Sequence, residues 1–367
     1  MLTDSTSFDA NMMAMALMMA RRGLGRTAPN PSVGAVIADE ASGEVIARAV
    51  TAPGGRPHAE TQAIAQAGAR ARGATIYVTL EPCSHHGHTG PCADAIIAAG
   101  LKRVVVGIED PDPRVAGRGL DRLRAAGIEV QRGVLAPQAR WITRGHVVRV
   151  TERRPFTTLK MALGAGGEIA RGDAGKPTWI TGPLARAHGH LLRAEADAIL
   201  VGGQTVRDDD PELTCRLPGM ANRSPVRVVL SNTLDIPLTS KLVASARDIP
   251  LWMATGGGAD PSRARALQKC GAEILKVPLV GNQLWLPSVM EALVARGITR
   301  LLVEGGPFVW RSFADAALID EVALYIAGGQ HNSNEAALSR RIGDYALTLY
   351  EDSQLGPDRL WLYRRNG

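Results

Sequence analysis

The feature that most constrains the fold is an alternation of short β-branched runs with helix-like runs, and it occurs twice along the chain. In the first half, the strand-like runs at 75–80 (TIYVTL) and 103–110 (RVVVGIED) enclose a helix-like run at 91–100 that starts with proline and ends with glycine. A basic segment at 148–156 (VRVTERRPF) interrupts this pattern, and a second alternating series follows it. Such alternation is typical of layered α/β sheets, so we predict an α/β fold for both halves.

The length of 367 residues favours two domains, because a single domain usually has roughly 100–200 residues. We predict a first domain over residues 1–147 and a second over residues 154–367. The first domain should begin with an amphipathic helix that contains the apolar run at 12–20 and is capped near Asp9. No run reaches the ~18 apolar residues of a membrane span, so we expect a cytoplasmic protein without membrane contact.

The charge pattern gives little support to a nucleic-acid surface. The net charge is +6, but the arginines are scattered, and the closest groups are pairs such as Arg21/Arg22 rather than tracts. Aromatic residues make up 4% of the chain, which is few for the stacking groove of an enzyme that edits bases in nucleic acid. We therefore expect no nucleic-acid partner, and the mild positive charge equally fits a phosphorylated small molecule.

The stretch at 81–92 (EPCSHHGHTGPC) contains two of the four cysteines and predicts a metal site. Cys83 follows the strand-like run at 75–80, and Cys92 lies in the first turn of the next helix, where free backbone N–H groups stabilise a thiolate. A close cysteine pair in a chain with so few cysteines indicates metal binding or catalysis rather than a disulfide framework. His58, at the start of an earlier helix, is the candidate third ligand, which leaves the fourth position of a zinc site for water.

Glu60 lies two residues after His58 and is the candidate acid–base group. A carboxylate at this position can face a metal-bound water without being a ligand, take its proton and pass it to a leaving amine. The pattern H-x-E followed by P-C and a second cysteine is the signature of zinc nucleobase deaminases. Two alternatives stay open: a closed zinc site with His85, His86 or His88 as fourth ligand, and a zinc-stabilised scaffold without catalysis.

The long spacer between the two cysteines differs from the C-x-x-C of simple cytidine deaminases, and it points to one family. The segments APNPSVGAVI, PHAE, TLEPCSHHGHTGPC and EDPDPRVAGRGLDRLRAAGIEV resemble, in order and spacing, the deaminase half of the bifunctional deaminase–reductases of riboflavin biosynthesis. The segments LLRAEADAILVGGQTVRDDDPELTCR and VEGGP resemble the reductase half of the same family. The resemblance covers about residues 10–362.

This resemblance implies two folds and two consecutive reactions. The first domain would be a cytidine-deaminase-like three-layer α/β/α domain that hydrolytically deaminates a diaminopyrimidinone carrying a phosphoribosylamino group. The second would be a dihydrofolate-reductase-like α/β domain that uses NADPH to reduce the ribosyl group to a ribityl chain. The resemblance also implies His58, Cys83 and Cys92 as Zn²⁺ ligands, Glu60 as proton shuttle and Asn30 as a substrate-binding residue. We further expect a homo-oligomer.

For the second domain, the resemblance implies a cofactor site and a substrate site. The cofactor positions are Leu163, Trp179, Thr205, Asp209, Gly306, Pro307, Phe308, Val309, Trp310, Arg311 and Ser312. The substrate positions are Pro177, Arg193, Leu213, Arg216 and Glu304. Arginines suit a phosphate because they bind it through paired hydrogen bonds, and glycines between a strand and a helix let backbone N–H groups approach phosphates. A Rossmann domain is not indicated, because the chain lacks a G-x-G-x-x-G motif.

The sequence departs from the family pattern K-x-A-x-S-x-D-G that begins at Lys160. Gly164 and Gly166 stand where the serine and the aspartate are expected, so two polar side chains near the expected nicotinamide site are missing. A deaminase with an inactive reductase domain is therefore an alternative, beside a nucleic-acid base deaminase.

Overall fold

The computed structural model of the protein describes residues 5–85, 90–113, 115–164, 180–328 and 342–365. The chain divides into two units, Met1–Arg153 and Arg154–Gly367, and each unit has its own sheet and its own apolar core. The division falls within the basic segment at 148–156, although a helix of the first unit continues into that segment as far as Glu152. Within the described ranges, no helix has the length and apolar character that crossing a membrane requires.

The first unit builds one sheet between two groups of helices. Its helices and strands are α1 (Ser5–Gly23), β1 (Gly34–Asp39), β2 (Glu44–Val50), α2 (Ala59–Ala67), β3 (Thr75–Leu80), α3 (Cys92–Ala98), β4 (Arg103–Ile108), α4 (Arg118–Ala125), β5 (Glu129–Arg132), α5 (Ala136–Ile142) and α6 (Arg144–Glu152). The strand order is β2-β1-β3-β4-β5, with β3, β4 and β5 parallel and β1 antiparallel to both its neighbours. Helices α1 and α5 contact each other and the sheet, while α2, α3 and α4 form a second connected group. This is the expected three-layer α/β/α arrangement.

The two central parallel strands explain the apolar runs of the sequence. Every residue of β3 and β4 is buried, because helices cover both faces of the sheet. The runs TIYVTL and RVVVGI therefore lack the alternation of a strand that has one wet face. The ends of these strands carry the loops that form the site described below.

Asp9 does not cap the first helix, and that prediction is wrong. Helix α1 already includes Ser5, so Asp9 lies inside it and is 2% exposed. The Asp9 carboxylate accepts hydrogen bonds of 2.9 and 2.8 Å from Arg103 and one of 2.9 Å from the Tyr77 hydroxyl. Asp9 thus neutralises a buried arginine that lies 94 positions away in the sequence, a partner that no local pattern could indicate.

The second unit is built around a larger, mostly parallel sheet. Its helices and strands are β6 (Phe156–Leu163), α7 (Pro183–Glu195), β7 (Ala198–Gly202), α8 (Gly203–Asp209), β8 (Val226–Leu230), α9 (Lys241–Ala244), β9 (Leu251–Thr255), α10 (Pro261–Lys269), β10 (Glu273–Lys276), β11 (Leu279–Val280), β12 (Gln283–Leu284), α11 (Leu286–Ala295), β13 (Arg300–Val303), α12 (Pro307–Asp315), β14 (Glu321–Ile326), β15 (Leu347–Leu355) and β16 (Asp358–Arg365). The strand order is β10-β9-β8-β7-β13-β6-β14-β16-β15. Of these nine strands, β10, β9, β8, β7, β13, β6 and β14 are parallel, and β16 and β15 extend the sheet in antiparallel fashion.

The parallel strands of the second unit bring distant parts of the sequence to one edge of the sheet. The loops that follow β6, β7, β8 and β13 all start at this edge, because parallel strands end on the same side. Ligands of open α/β sheets bind at the carboxyl ends of the strands. The α/β fold predicted for both domains is confirmed, and this edge is where the candidate residues of the second unit must be sought.

Candidate functional site

The three candidate zinc ligands of the first unit lie together, although they come from separate parts of the sequence. His58 immediately precedes α2, Cys83 follows β3, and Cys92 is the first residue of α3. The Nδ1 atom of His58 lies 3.3 Å from the Cys92 sulfur and 3.7 Å from the Cys83 sulfur. All three ligand atoms lie within 4.8 Å of one another. One imidazole nitrogen and two sulfurs at this spacing can hold a single zinc ion.

The pKa values of the two thiols of this group are shifted in opposite directions. The Cys92 thiol and the Cys92 backbone N–H both donate to the Cys83 sulfur, and these hydrogen bonds lower the pKa of Cys83 to about 4. The pKa of Cys92 is raised, because its proton is held in that hydrogen bond and because the side chain is buried. The hydrogen bond to Cys83 raises the pKa of His58. A dication fits this donor set, because it allows both sulfurs to be thiolates.

A fourth protein ligand is not found among the residues that the structure describes. His85 is exposed and does not belong to the group formed by His58, Cys83 and Cys92. His86 and His88 lie outside the described residues.

Glu60 is buried beside the ligand group with one oxygen unpaired. Its side chain is 3% exposed, and its Oε2 atom has no hydrogen-bond partner among the described residues. Burial raises the pKa of the Glu60 carboxyl to about 6, although the nearby His58 opposes the rise. Buried carboxylate oxygens nearly always have a partner, and a water on a metal held by the three ligands would supply one. The residues therefore fit a zinc ion with an adjacent acid–base group.

Asn30 lies in a loop that is fixed against the loop leading to His58. Its Nδ2 atom donates to the Gly55 carbonyl at 2.8 Å, three residues before His58. Gly55 has a φ of +84°, and a Cβ atom on it would lie 2.7 Å from the Asn30 Cβ, so only glycine permits this contact. The Oδ1 atom of Asn30 takes no part in this hydrogen bond.

Glu81 joins two loops around the ligand group, and sequence reasoning missed it. Its carboxylate accepts hydrogen bonds from the backbone N–H groups of Asp110, Gly117 and Gly119, at 3.2, 3.0 and 3.0 Å. Glu81 is two residues before Cys83, so one side chain connects the loop after β4 to the loop that carries a candidate ligand. The signal that could have found it is an acidic residue directly before Pro-Cys, at the end of an apolar strand.

The second unit contains a cavity of about 1150 Å³ at the edge where the parallel strands end. Its described lining comes from the residues that follow β7, β8 and β13 and from the hairpin of β11 and β12 with the start of α11. Most predicted cofactor residues line it, namely Thr205, Asp209, Gly306, Pro307, Phe308, Val309, Arg311 and Ser312.

The remaining predicted cofactor residues do not line this cavity or lie outside the described residues. Leu163 is buried at the end of β6, and Trp310 packs against the apolar core of the second unit. Trp179 lies outside the described residues. Of the two unexpected glycines, Gly164 is buried directly after β6, and Gly166 also lies outside the described residues.

Helix α12 begins at the cavity and suits an anionic ligand there. Gly306 and Pro307, at its start, both line the cavity. A Cβ atom on Gly305 would lie 2.7 Å from Val309, so close packing requires glycine at that position, whereas Gly306 faces open space. The backbone N–H groups in the first turn of a helix have no intrahelical partners and attract phosphates.

Arg193 and Glu304 form a separate charged group that does not line the cavity. The Nε and Nη2 atoms of Arg193 donate to the Glu304 carboxylate at 2.8 and 2.9 Å, and its Nη1 atom donates to the Thr214 carbonyl at 3.0 Å. Lys160 Nζ lies 4.0 Å from the same carboxylate. Burial alone would raise the pKa of Glu304, but Arg193 and Lys160 lower it to about 2. Glu304 therefore stays ionised.

Arg216 and His190 extend this charged group. Arg216 is exposed, and its backbone N–H donates to His190 Nδ1 at 3.4 Å. Burial lowers the pKa of His190, and so do the positive charges of Arg193 and Arg216. Sequence reasoning missed His190, although His190 and Arg193 are spaced three apart on α7. Of the other predicted substrate residues, Leu213 has its side chain packed in an apolar cluster and Pro177 lies outside the described residues.

Three polar residues after β8 also line the cavity and were missed from the sequence. They are Ser231, Asn232 and Thr233, which follow the apolar run of β8 directly. Asn232 Nδ2 donates to the carbonyl of Asn282, between β11 and β12, at 2.5 Å. The signal that could have found them is a polar triplet at the end of a buried strand in a parallel sheet.

Comparisons with known proteins match both units. The cytidine and deoxycytidylate deaminase zinc-binding region matches residues 6–108, and the RibD C-terminal domain matches residues 155–329. The riboflavin biosynthesis protein RibD of Aquifex aeolicus is 40% identical over 319 residues, which cover 87% of this chain and 86% of that protein. The RibD protein of Bacillus amyloliquefaciens is 40% identical over 315 residues, which cover 86% and 83%.

A solved structure agrees with these matches over almost the whole chain. It is a diaminohydroxyphosphoribosylaminopyrimidine deaminase/5-amino-6-(5-phosphoribosylamino)uracil reductase from Thermotoga maritima. Its TM-score is 0.82 at 32% sequence identity, and the match covers 99% of this chain and 100% of that chain. The chain belongs to the RibD family, the bifunctional deaminase–reductases of riboflavin biosynthesis.

Proposed function

We propose that this chain catalyses two consecutive steps on one phosphorylated pyrimidine. The first step is the hydrolytic deamination of 2,5-diamino-6-(5-phosphoribosylamino)pyrimidin-4-one. The second is the NADPH-dependent reduction of the ribosyl group of the product to a ribityl chain. The observation that carries the proposal is the grouping of His58, Cys83 and Cys92 beside Glu60, whose buried Oε2 atom is unpaired among the described residues.

In the deaminase unit, His58, Cys83 and Cys92 hold Zn²⁺, and Glu60 moves the proton. Zn²⁺ bound by these residues supplies Lewis acidity and lowers the pKa of water. Glu60 Oε2 takes the proton that the attacking water gives up and passes it to the amino nitrogen, which leaves as ammonia. Asn30, anchored through Gly55, holds the pyrimidine ring.

In the reductase unit, the cavity holds NADPH and the charged group beside it holds the substrate. The first turn of α12 binds the phosphates of the dinucleotide, and Thr205 and Asp209 bind its sugar hydroxyls. Arg193 and Arg216 bind the substrate phosphate. NADPH supplies the hydride, and the residues of the chain hold the sugar carbon and the nicotinamide ring in contact.

Two further predictions concern the state of the protein in the cell. We propose a homo-oligomer located in the cytoplasm. Light scattering coupled to size exclusion would detect the oligomer, and a monomer at micromolar concentration would contradict it. Fractionation of cells would test the location.

The experiment that tests the proposed function is product analysis with the authentic pyrimidine, with and without NADPH. Without NADPH, the deaminated ribosyl compound should accumulate together with ammonia. With NADPH, the ribityl compound should replace it, and NADPH should be oxidised in equal amount. No NADPH oxidation with separately supplied deaminated compound would leave a deaminase with a silent second domain, and no ammonia release would overturn the first step.

A further inference from the structure

The hairpin formed by β11 and β12 presents apolar side chains to the cavity of the second unit. Val280 and Trp285 both line the cavity and are 59% and 45% exposed. Across the described lining, the aromatic residues are Trp285 and Phe308, and Phe308 is 68% exposed. Large apolar side chains that stay this exposed inside a concave site are typical of ligand contacts. Trp285 was not among the residues that the sequence predicted.

The hairpin is held in place, so Trp285 has a defined position. The backbone N–H of Trp285 donates to the Pro278 carbonyl at 2.9 Å, which closes the hairpin. The backbone N–H of Val289 donates to the Trp285 carbonyl at 3.2 Å at the start of α11. Asn232 ties the hairpin to the loop after β8 through the Asn282 carbonyl. Within the described part of the chain, the Trp285 indole makes no aromatic or cation–π contact, and Trp285 is 45% exposed.

The order of the strands places the two rings of a bound dinucleotide on opposite sides of α12. The strands run β8-β7-β13-β6, so β8 and β6 are three steps apart, roughly 14 Å at the usual strand spacing. The phosphate-binding start of α12 follows β13, between them. A dinucleotide whose phosphates lie at α12 therefore extends one ring towards β6 and the other towards β8 and the hairpin.

The position of the charged group indicates which ring of the dinucleotide lies towards β6. Lys160 lies on β6 and Glu304 follows β13, and with Arg193 they form the charged group that does not line the cavity. The hydride must pass between nicotinamide and substrate in direct contact, so the nicotinamide ring lies towards β6. The adenine ring is then the end that lies over β8 and against the hairpin.

We propose that Trp285 is a cofactor-binding residue that stacks on the adenine ring of NADPH. The inference rests on the proposed function of the reductase unit and deepens it, because it assigns an adenine contact to the hairpin of β11 and β12. Stacking of a base on an aromatic side chain needs an exposed ring beside a flat ligand, and Trp285 is the 45% exposed indole of the cavity lining.

The test compares three variants and two fragments of the cofactor. The variants are Trp285→Ala, Trp285→Phe and, as a matched control, Leu238→Ala, which removes a 49% exposed apolar side chain that does not line the cavity. The fragments are 2′,5′-ADP, which contains the adenine, and reduced nicotinamide mononucleotide, which does not. Calorimetry gives the Kd of each fragment and of NADPH, and steady-state kinetics give kcat at saturating NADPH.

Loss of the stacked indole should raise the Kd of Trp285→Ala for 2′,5′-ADP and for NADPH on the order of 10-fold. Trp285→Phe keeps an aromatic face and should stay within roughly threefold of the wild type. Leu238→Ala should not differ from wild type, Trp285→Ala should raise the KM for NADPH more than it lowers kcat, and no variant should change the Kd of reduced nicotinamide mononucleotide. Binding of 2′,5′-ADP should also quench wild-type tryptophan fluorescence more than that of Trp285→Phe, a readout that does not depend on the stability of the alanine variant.

Three results would overturn the inference, and they separate it from the proposed function. Unchanged 2′,5′-ADP binding by Trp285→Ala, with normal binding by the wild type, would refute the role of Trp285 alone. A weakening confined to reduced nicotinamide mononucleotide would place the opposite end of the cofactor at the hairpin. Failure of the wild type to bind 2′,5′-ADP or NADPH would refute the reductase half of the proposed function together with this inference.

Discussion

Arg193 and Glu304 form a two-point ion pair in which Nε and Nη2 of the arginine lie 2.8 and 2.9 Å from the two carboxylate oxygens. With the bond from Nη1 to Thr214, three of the five N–H groups of the guanidinium are engaged among the residues that the structure describes. Glu304 therefore positions Arg193, and the two other N–H groups of the guanidinium are the ones that would bind the substrate phosphate in the proposed function.

Removing the cation of this pair should destabilise the second unit. We expect Arg193→Met to lower the free energy of unfolding by about 2–3 kcal/mol, because a buried carboxylate loses its main partner while Lys160 still helps to neutralise it. The double variant Arg193→Met/Glu304→Gln should recover at least half of that loss. Urea unfolding followed by tryptophan fluorescence reports mainly on this unit, because all tryptophans except Trp141 follow residue 153.

The matched control is Arg263→Met, which removes an ion pair with Asp235 whose partners are 48% and 59% exposed. Exposed ion pairs contribute little to the free energy of unfolding, so Arg263→Met should lower it by less than about 1 kcal/mol. Equal losses for Arg193→Met and Arg263→Met, or no recovery in the double variant, would show that the buried pair is not coupled.

Acid should weaken the second unit through Glu304. The pKa of Glu304, about 2 in the folded chain, lies below the ordinary glutamate value of 4.5. The stability that ionised Glu304 adds is therefore fully present above pH 4.5 and is lost as the pH falls towards 2. The difference corresponds to about 3 kcal/mol. Unfolding free energies of wild type and Glu304→Gln, measured from pH 6 to pH 2, should converge as the pH falls. Parallel curves over this range would contradict the depressed pKa.

Zinc content should depend on Cys83. We expect about one zinc ion per chain in the wild type and almost none in Cys83→Ser, because a hydroxyl is a poor replacement for a thiolate ligand. The matched control is Cys270→Ser, since Cys270 is also a partly buried free cysteine but lies in the second unit. Plasma mass spectrometry after dialysis measures the metal. Full zinc occupancy in Cys83→Ser would remove this residue from the ligand set.

Glu60→Gln should keep the zinc and lose the deaminase activity. The amide has nearly the same shape but cannot carry the proton, so the rate of ammonia release should fall by roughly 10²–10⁴-fold. Reduction of separately supplied deaminated compound should be unchanged, and Glu44→Gln, which alters an exposed glutamate, should leave both activities intact. Deamination within roughly threefold of wild type would mean that Glu60 is not the proton shuttle.

Much of the first site could be predicted because its chemistry is concentrated in short motifs. His58, Glu60, Cys83 and Cys92 lie at helix starts and strand ends, where the local sequence already fixes the backbone. Asp9 was misplaced for the opposite reason, since its partner Arg103 is brought to it only by the packing of α1 on the sheet.

The residues that line the cavity of the second unit could be predicted only in part from the sequence. The predicted run 306–312 follows one helix, but only the packed structure shows that Phe308 and Arg311 line the cavity while Trp310 faces the core. Trp285 joins the same cavity through a hairpin that no family motif covered. Such residues come to one site because of the order of the strands in the sheet, and no local sequence pattern predicts that order.

The three hydrogen bonds accepted by Glu81 have a consequence for engineering this enzyme. A library of substitutions at 110–119 would move the backbone N–H groups that hold Glu81 and, through it, the chain leading to Cys83. Many inactive clones from such a library would be metal-free proteins rather than proteins with the wrong selectivity. A selection that measures turnover alone would discard both kinds of clone without distinguishing them. The zinc content of the variants should therefore be measured separately.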